Sequence, residues 1–406
     1  MKVRAMSSGE VGFYEHGNGL ARLKHPKNRR LLLKISFWVC LGLFEFKICE
    51  PKLAYASAPE LAKPTQTVDL TRFGYRELKA NLVDSTLGDI ISHLVMVSDQ
   101  LVVVYHTMPD GMRVAASNGT LTAYFVNVSD GKLVRKQDWR TIRRRDSGEG
   151  KDSEARIYAL SQDRYIVIAS GTLLLYNRDG SLTIQKKLDP GLWSIQPVQM
   201  GTVLLLRHER KDQKQSFVKY IWADSQSLAT LAEVEDGQEL RSQIGLLGAD
   251  QWLVYRDSNG IQKMTVDGLD GVMCSDDFCR ESGPSNAVRG GVIVSSRFGL
   301  EMLSFDKGLV WQKSIQPAGG LDRITIGGVQ TSLNGEYLAV LVLRGNKYRT
   351  FDDVHLDKNE EVFVYSATDG KCLFLLPGAI QALALSPNGT QVVSFDGKYL
   401  RVCGKP

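Results

Sequence analysis

Ala382-Leu-Ala-Leu-Ser-Pro-Asn388-Gly389-Thr-Gln-Val-Val-Ser-Phe395 is the stretch on which the reading of this chain turns. An apolar run stops at Ser386-Pro387, Asn388-Gly389 reverses the chain, and a second apolar run follows. Asn and Gly tolerate the positive φ that a two-residue hairpin turn needs, so the pattern predicts a β-hairpin. Looser copies run over 95–104 around Asp99, 157–168 around Ser161 and 331–340 around Asn334-Gly335. Between them, Leu121–Val128 alternates in strand fashion before Ser129-Asp130-Gly131, and Glu361–Ser366 leads to Asp369-Gly370 and a further run, Lys371–Leu376. Beyond residue 56, eight Asp-Gly and four Asn-Gly pairs punctuate the chain, and they read as turns.

Units of this kind recur seven times after residue 90, at about 86–139, 157–190, 192–236, 240–282, 285–316, 322–377 and from 379 onward. A period of roughly 40–50 residues with about four strands per unit is the mark of an all-β β-propeller. The count predicts seven four-stranded blades; the third and fourth units are weakly marked, so six or eight stay open. The last unit has only three strands before Pro406. A ring closes without long exposed edges only if a fourth strand is supplied, and Thr67–Leu82 is the expected donor, so that N- and C-terminal strands share one blade. The resulting division is 1–56 leader, 57–85 linker and closing outer strand, and 86–406 propeller.

Ser386-Pro-Asn-Gly-Thr-Gln-Val-Val-Ser394 resembles the inner hairpin of WD40-type and similar bacterial propellers. Ser129-Asp-Gly-Lys-Leu-Val134, Ala367-Thr-Asp-Gly-Lys-Cys-Leu-Phe374 and Lys307-Gly-Leu-Val-Trp311 resemble the Thr-Gly-Lys-x-x-Trp turn of pyrroloquinoline-quinone-type repeats. The Trp-Asp dipeptide is absent, and the Trp of the second pattern survives only at Trp311. The resemblance implies the fold and a general interaction role, and no particular activity.

Charge is unevenly spread. Residues 1–56 hold ten Lys/Arg and four Asp/Glu, leaving 40 basic and 41 acidic residues in the body, so the basic excess is no argument for nucleic-acid binding. The excess has the form of an export signal: a basic run from Arg22 to Lys34, the apolar core Ile35–Phe44, and Ala54-Tyr-Ala56 as a cleavage site that would make Ser57 the first mature residue. Ten apolar residues are too few for a helix to span the ~30 Å hydrocarbon layer, which argues for cleavage over a stable membrane span. The expected location is the periplasm, cell envelope or medium. Of the four cysteines beyond the leader, Cys274 and Cys279 could close a small loop disulfide, and Cys372 and Cys403 either pair or remain buried thiols.

Catalytic signatures fail one by one. No Gly-x-Ser-x-Gly elbow or P-loop occurs, and His93, His106, His208 and His355 lack metal-ligand spacing. Asp267, Asp270, Asp276 and Asp277 could gather around structural calcium but lack the EF-hand order, and the turn reading is preferred; no other cofactor is indicated. Two polar segments stand out. One runs 135–156 and offers Trp139, Arg140, Arg143, Arg144 and Arg145; the other, 344–358, offers Arg344, Lys347, Tyr348 and Arg349. Long loops on a rigid scaffold commonly carry function. The expectation is a non-catalytic binding or assembly scaffold that meets a protein or envelope partner through rim loops. The alternative is a propeller hydrolase, lyase or lactonase with its site in the central channel.

Overall fold

A computed structural model describes residues 63–75, 93–109, 118–142, 155–161, 163–189, 191–198, 201–212, 215–236, 243–246, 253–257, 260–265, 268–274, 283–295, 299–304, 308–314, 324–344, 360–377 and 380–404. The chain divides into two units, Met1–Ser57 and Ala58–Pro406. The first, which carries the expected leader and cleavage site, lies outside the described residues.

Among the described residues the strands form seven four-stranded antiparallel sheets. One strand, β1 (Gln66–Asp69), precedes them all. The first sheet holds β2 (His93–Ser98), β3 (Leu101–Pro109), β4 (Asn118–Asn127) and β5 (Leu133–Ile142). The second holds β6 (Arg156–Ala159), β7 (Arg164–Ala169), β8 (Thr172–Asn177) and β9 (Leu182–Lys187). The third comprises β10 (Leu192–Val198), β11 (Val203–Asp212), β12 (Gln215–Asp224) and β13 (Thr230–Asp236). In the fourth lie β14 (Gln243–Leu246), β15 (Leu253–Asp257), β16 (Gly260–Thr265) and β17 (Gly268–Cys274). The fifth has β18 (Gly283–Val288), β19 (Gly291–Ser295), β20 (Gly299–Ser304) and β21 (Gly308–Ser314). The sixth has β22 (Ile324–Thr331), β23 (Tyr337–Arg344), β24 (Glu360–Ser366) and β25 (Cys372–Pro377). The last is β26 (Ala382–Leu385), β27 (Gln391–Phe395) and β28 (Tyr399–Gly404), with β1 added on its outer edge. The first strands β2, β6, β10, β14, β18, β22 and β26 touch one another in that order, and β26 touches β2, closing a β-propeller ring.

Among the described residues five seams between neighbouring sheets are seen as separate apolar cores. Second strands are packed on both faces, which is why β3 and β7 read as unbroken apolar runs, buried from Leu101 to Tyr105 and from Tyr165 to Ala169. Outer strands face water and read as polar: β9 is exposed along nearly its whole length. Burial of one such Val, Leu or Phe stabilises by about 1.5–3 kcal/mol, so the seams hold the ring.

The closing strand is shorter than the sequence suggests. Gln66 to Asp69 pair with Val402 to Tyr399. Asp69 then caps a 3₁₀ turn, Leu70–Phe73, by accepting the Thr71 amide at 2.9 Å, and Gly74 ends that turn at φ 80°. Extension toward Leu82 is therefore stopped by a local capping contact. Tyr75 enters the seam between the last and first sheets, edge-on to Phe395, Tyr124 and His106 with ring centroids 5.4–5.5 Å apart.

Candidate functional site

In every antiparallel sheet the hairpins joining strands one to two and three to four lie at one end, and the remaining connections lie at the other. Hydrogen bonds tie several of the former hairpins into one belt, here called the turn rim. Within the first, third and sixth sheets, an amide of the outer hairpin donates to the inner one: Val128 to Gln100 O, Ser225 to Thr202 O and Ala367 to Glu336 O, at 2.8–3.0 Å. Between sheets, Arg289 N donates to Gly335 O, Asn334 N to Pro387 O, Asn388 N to the Asp99 carboxylate and Ser161 N to Gly201 O.

The two Ser-x-Asn-Gly hairpins are built alike. Ser332 Oγ donates to Asn334 Oδ1 at 2.6 Å and accepts the Tyr337 amide at 3.0 Å. Ser386 Oγ donates to Asn388 Oδ1 at 2.8 Å and accepts the Gln391 amide at 3.0 Å. Gly335 and Gly389 supply the positive φ, 69° and 74°. Leu333, in the first of these hairpins, reaches the hairpin of the third sheet, far around the ring. A Cβ placed on Gly201 would lie 3.0 Å from Leu333 Cδ2.

A second repeated device joins the sheets. An outer strand, or the turn after it, reaches forward to a carbonyl in the outer hairpin of the next sheet. Arg135 Nη1 donates to Arg178 O at 3.0 Å, Lys186 Nζ to Leu228 O at 3.5 Å, and Trp311 Nε1 to Ala367 O at 2.8 Å. Arg72 does the same to Gly131 O across the closing seam. Arg135 is the most engaged of these. Its guanidinium lies 3.8 Å from the Phe125 ring centroid and gives a further hydrogen bond, 2.8 Å, to Tyr165 OH.

Beside Arg135 a groove of about 580 Å³ opens on the turn rim between the first and second sheets, with Gln100, Val134, Asp163, Arg178 and Asp179 in its lining. Arg178 crosses it, donating to Gln100 Oε1 at 2.9 Å and pairing with Asp163 at 3.4 Å. Asp163 has φ 57°, the left-handed conformation that favours glycine. The Asp179 carboxyl is held below the ordinary carboxylate range, chiefly by the Ser181 hydroxyl and then by its amide, so it is an acceptor and not a proton donor at neutral pH. The polar side chains of the groove are thus largely engaged with one another.

The residues expected to bind a partner separate. Trp139 is not a surface residue. It lies on β5 with only 7% of its area exposed, packed against Tyr176 and donating to that phenol at 2.9 Å. Arg140, next to it, is exposed, and its carbonyl accepts the Ser170 hydroxyl of the second sheet at 2.7 Å. Arg344 is the last residue of β23, opposite Ile324. Arg143, Arg144, Arg145, Lys347, Tyr348 and Arg349 lie outside the described residues.

Cys274 ends β17 and Cys279 lies outside the described residues, as do Asp267, Asp276 and Asp277; Asp270 is in β17. Cys372 and Cys403 are free thiols. They belong to different cores, Cys372 between the fifth and sixth sheets and Cys403 between the sixth and last, and burial raises both thiols to about 11. Among the described residues no three His, Cys, Asp or Glu side chains cluster as metal ligands, and no helix is long and apolar enough to cross a membrane. The groove and the clasping role of Arg135 were not expected from sequence. The usable signal is the alternation Arg135-x-Gln137-x-Trp139, which puts three long side chains on the seam face of one strand.

No family profile and no curated protein matches the chain. A similar solved structure is a chain of the mitotic checkpoint complex crystal structure, 12% identical, covering 86% of this chain and 97% of that chain, with a TM-score of 0.45. At that identity the likeness concerns fold alone.

Proposed function

We propose that the chain is an exported, non-catalytic binding or assembly scaffold whose partner-facing side is the rim opposite the belt of turns. One observation carries this reading: the two long polar segments leave from that rim. Segment 143–154 joins β5 to β6, and segment 345–359 joins β23 to β24, both at the ends remote from the turn rim. Arg140 stands exposed just before the first departure, and Arg344 marks the second. The turn rim is a poorer candidate, because its Asn, Ser, Asp and Arg side chains bond to one another. An acidic protein or envelope component would meet the cations gathered at the start of each segment, Arg143–Arg145 and Arg344, Lys347 and Arg349, ahead of the carboxylates that follow them.

Capture from an exported preparation tests this. Purified chain is expected to retain its partners when wild type and to lose them when Arg140, Arg143, Arg144 and Arg145 are changed to Glu together with Arg344, Lys347 and Arg349. Unchanged capture after deletion of both segments overturns the proposal. N-terminal sequencing of exported chain is expected to begin at Ser57.

A further inference from the structure

Among the described residues, the seam between the last and first sheets is where a strand distant in sequence holds the ring. β1 is followed within two turns by Tyr75, which is 3% exposed and inserted among Phe395 of β27, Tyr124 of β4 and His106 of β3. Tyr124 OH also donates to Gly74 O at 3.3 Å. Val102, Val104 and His106 share one face of β3, and the two valines belong to the apolar core of this seam together with Val68, Leu70 and Tyr75. His106 therefore continues that apolar face with an ionisable ring, as the buried His208 does at the same place on β11. It is 6% exposed, and its Nδ1 has no hydrogen-bond partner.

We propose that this seam is an acid-sensitive latch: protonation of His106 releases the Thr65–Tyr75 segment, leaving the β28 edge open while the other sheets stay folded. The imidazole forms a triangle of rings with Tyr75 and Tyr124, at centroid distances of 5.5 and 6.3 Å. The charged groups that act on it come from β5: Lys136 opposes a second positive charge and Asp138 favours one. The last sheet offers Phe395, which gives an imidazolium no hydrogen bond. Burial, then Lys136, depresses the folded-state affinity for a proton. A His with a depressed folded value contributes stability that is complete above its unfolded value near 6.5 and is lost as pH falls from there through the folded value. The segment is otherwise held by pairing of β1 with β28, by Thr65 N and Leu70 N donating to Val402 O and Lys398 O at 2.8 and 3.1 Å, by Arg72 on Gly131 O, by an Asp69–Lys398 pair at 3.7 Å and by burial of Val68 and Leu70. Thus the proton acts on a short anchor.

Hydrogen exchange read by mass spectrometry on the full chain decides the matter. Protection factors for peptides covering 65–75 and 399–404 are expected to fall about tenfold between pH 7.5 and 5.5, the change produced by one proton that His106 binds only when the segment is released. Peptides covering 164–177 in the second sheet serve as the reference and are expected to keep their protection. His106→Phe keeps an aromatic ring and removes the proton site, so its pH dependence at 65–75 is expected to vanish. A wild-type segment whose protection is independent of pH, or that changes only in step with 164–177, overturns the latch even if the variant does not fold. Retention of the drop in folded His106→Phe also overturns it.

Discussion

At the seam between the first and second sheets a guanidinium crosses the boundary; at the seam between the fifth and sixth an indole does. Arg135 and Trp311 occupy outer strands of their sheets and reach the same feature of the next one, a carbonyl in its outer hairpin, at 3.0 and 2.8 Å. What recurs around this ring is a donor at a set height above an apolar shaft. The difference between the two lies in what surrounds the donor. Arg135 also stacks on Phe125 and bonds Tyr165 OH, whereas Trp311 packs its ring beside the hairpin at Gly370, where a Cβ would meet the indole at 2.7 Å. Repeats that keep a geometry while exchanging a cation for an aromatic are hard to align by residue identity.

If the first clasp works through several contacts and the second chiefly through one, their substitutions separate. Arg135→Ala is expected to cost about 2–3 kcal/mol, the loss of a half-buried cation–π contact and two hydrogen bonds, read as a lowered midpoint of denaturant unfolding at unchanged slope. Trp311→Phe keeps most of the ring and removes only the Nε1 donor, so about 1 kcal/mol is expected by the same measurement. Equal costs for the two would show that the stack on Phe125 adds nothing. Arg178→Ala is the control beside the first clasp. It breaks a solvent-exposed pair with Asp163 and an exposed hydrogen bond to Gln100, and should cost under about 1 kcal/mol, leaving the Arg178 carbonyl that Arg135 uses in place.

Much of the ring is legible in the sequence because hairpin turns are local chemistry. Asn334-Gly335 and Asn388-Gly389 must turn, and Ser332 and Ser386, two residues earlier, satisfy the Asn side chains, so the strands on either side follow. The run 135–145 misleads because it mixes two faces of one strand. Lys136, Asp138 and Arg140 point to water, while Arg135, Gln137 and Trp139 line a seam. Six cations and one aromatic suggest a loop unless the period of two is taken seriously. His106 carries no signal of its own, since its meaning depends on Tyr75 arriving from another part of the chain. The outer hairpin of the third sheet is obscure for another reason. Leu228 takes the left-handed position, φ 57°, that Gly131, Gly180 and Gly370 fill in other sheets, and its burial at 4% exposure offsets the backbone strain.

Leu333 braces the ring from within. A Cβ on Gly201 would lie 3.0 Å from Leu333 Cδ2, so hairpins of the third and sixth sheets, three blades apart in chain order, meet at the belt of turns. A side chain at position 201 would have to displace Leu333 and would also crowd the Ser161 amide at 2.5 Å, so one small residue keeps three sheets in register with one another.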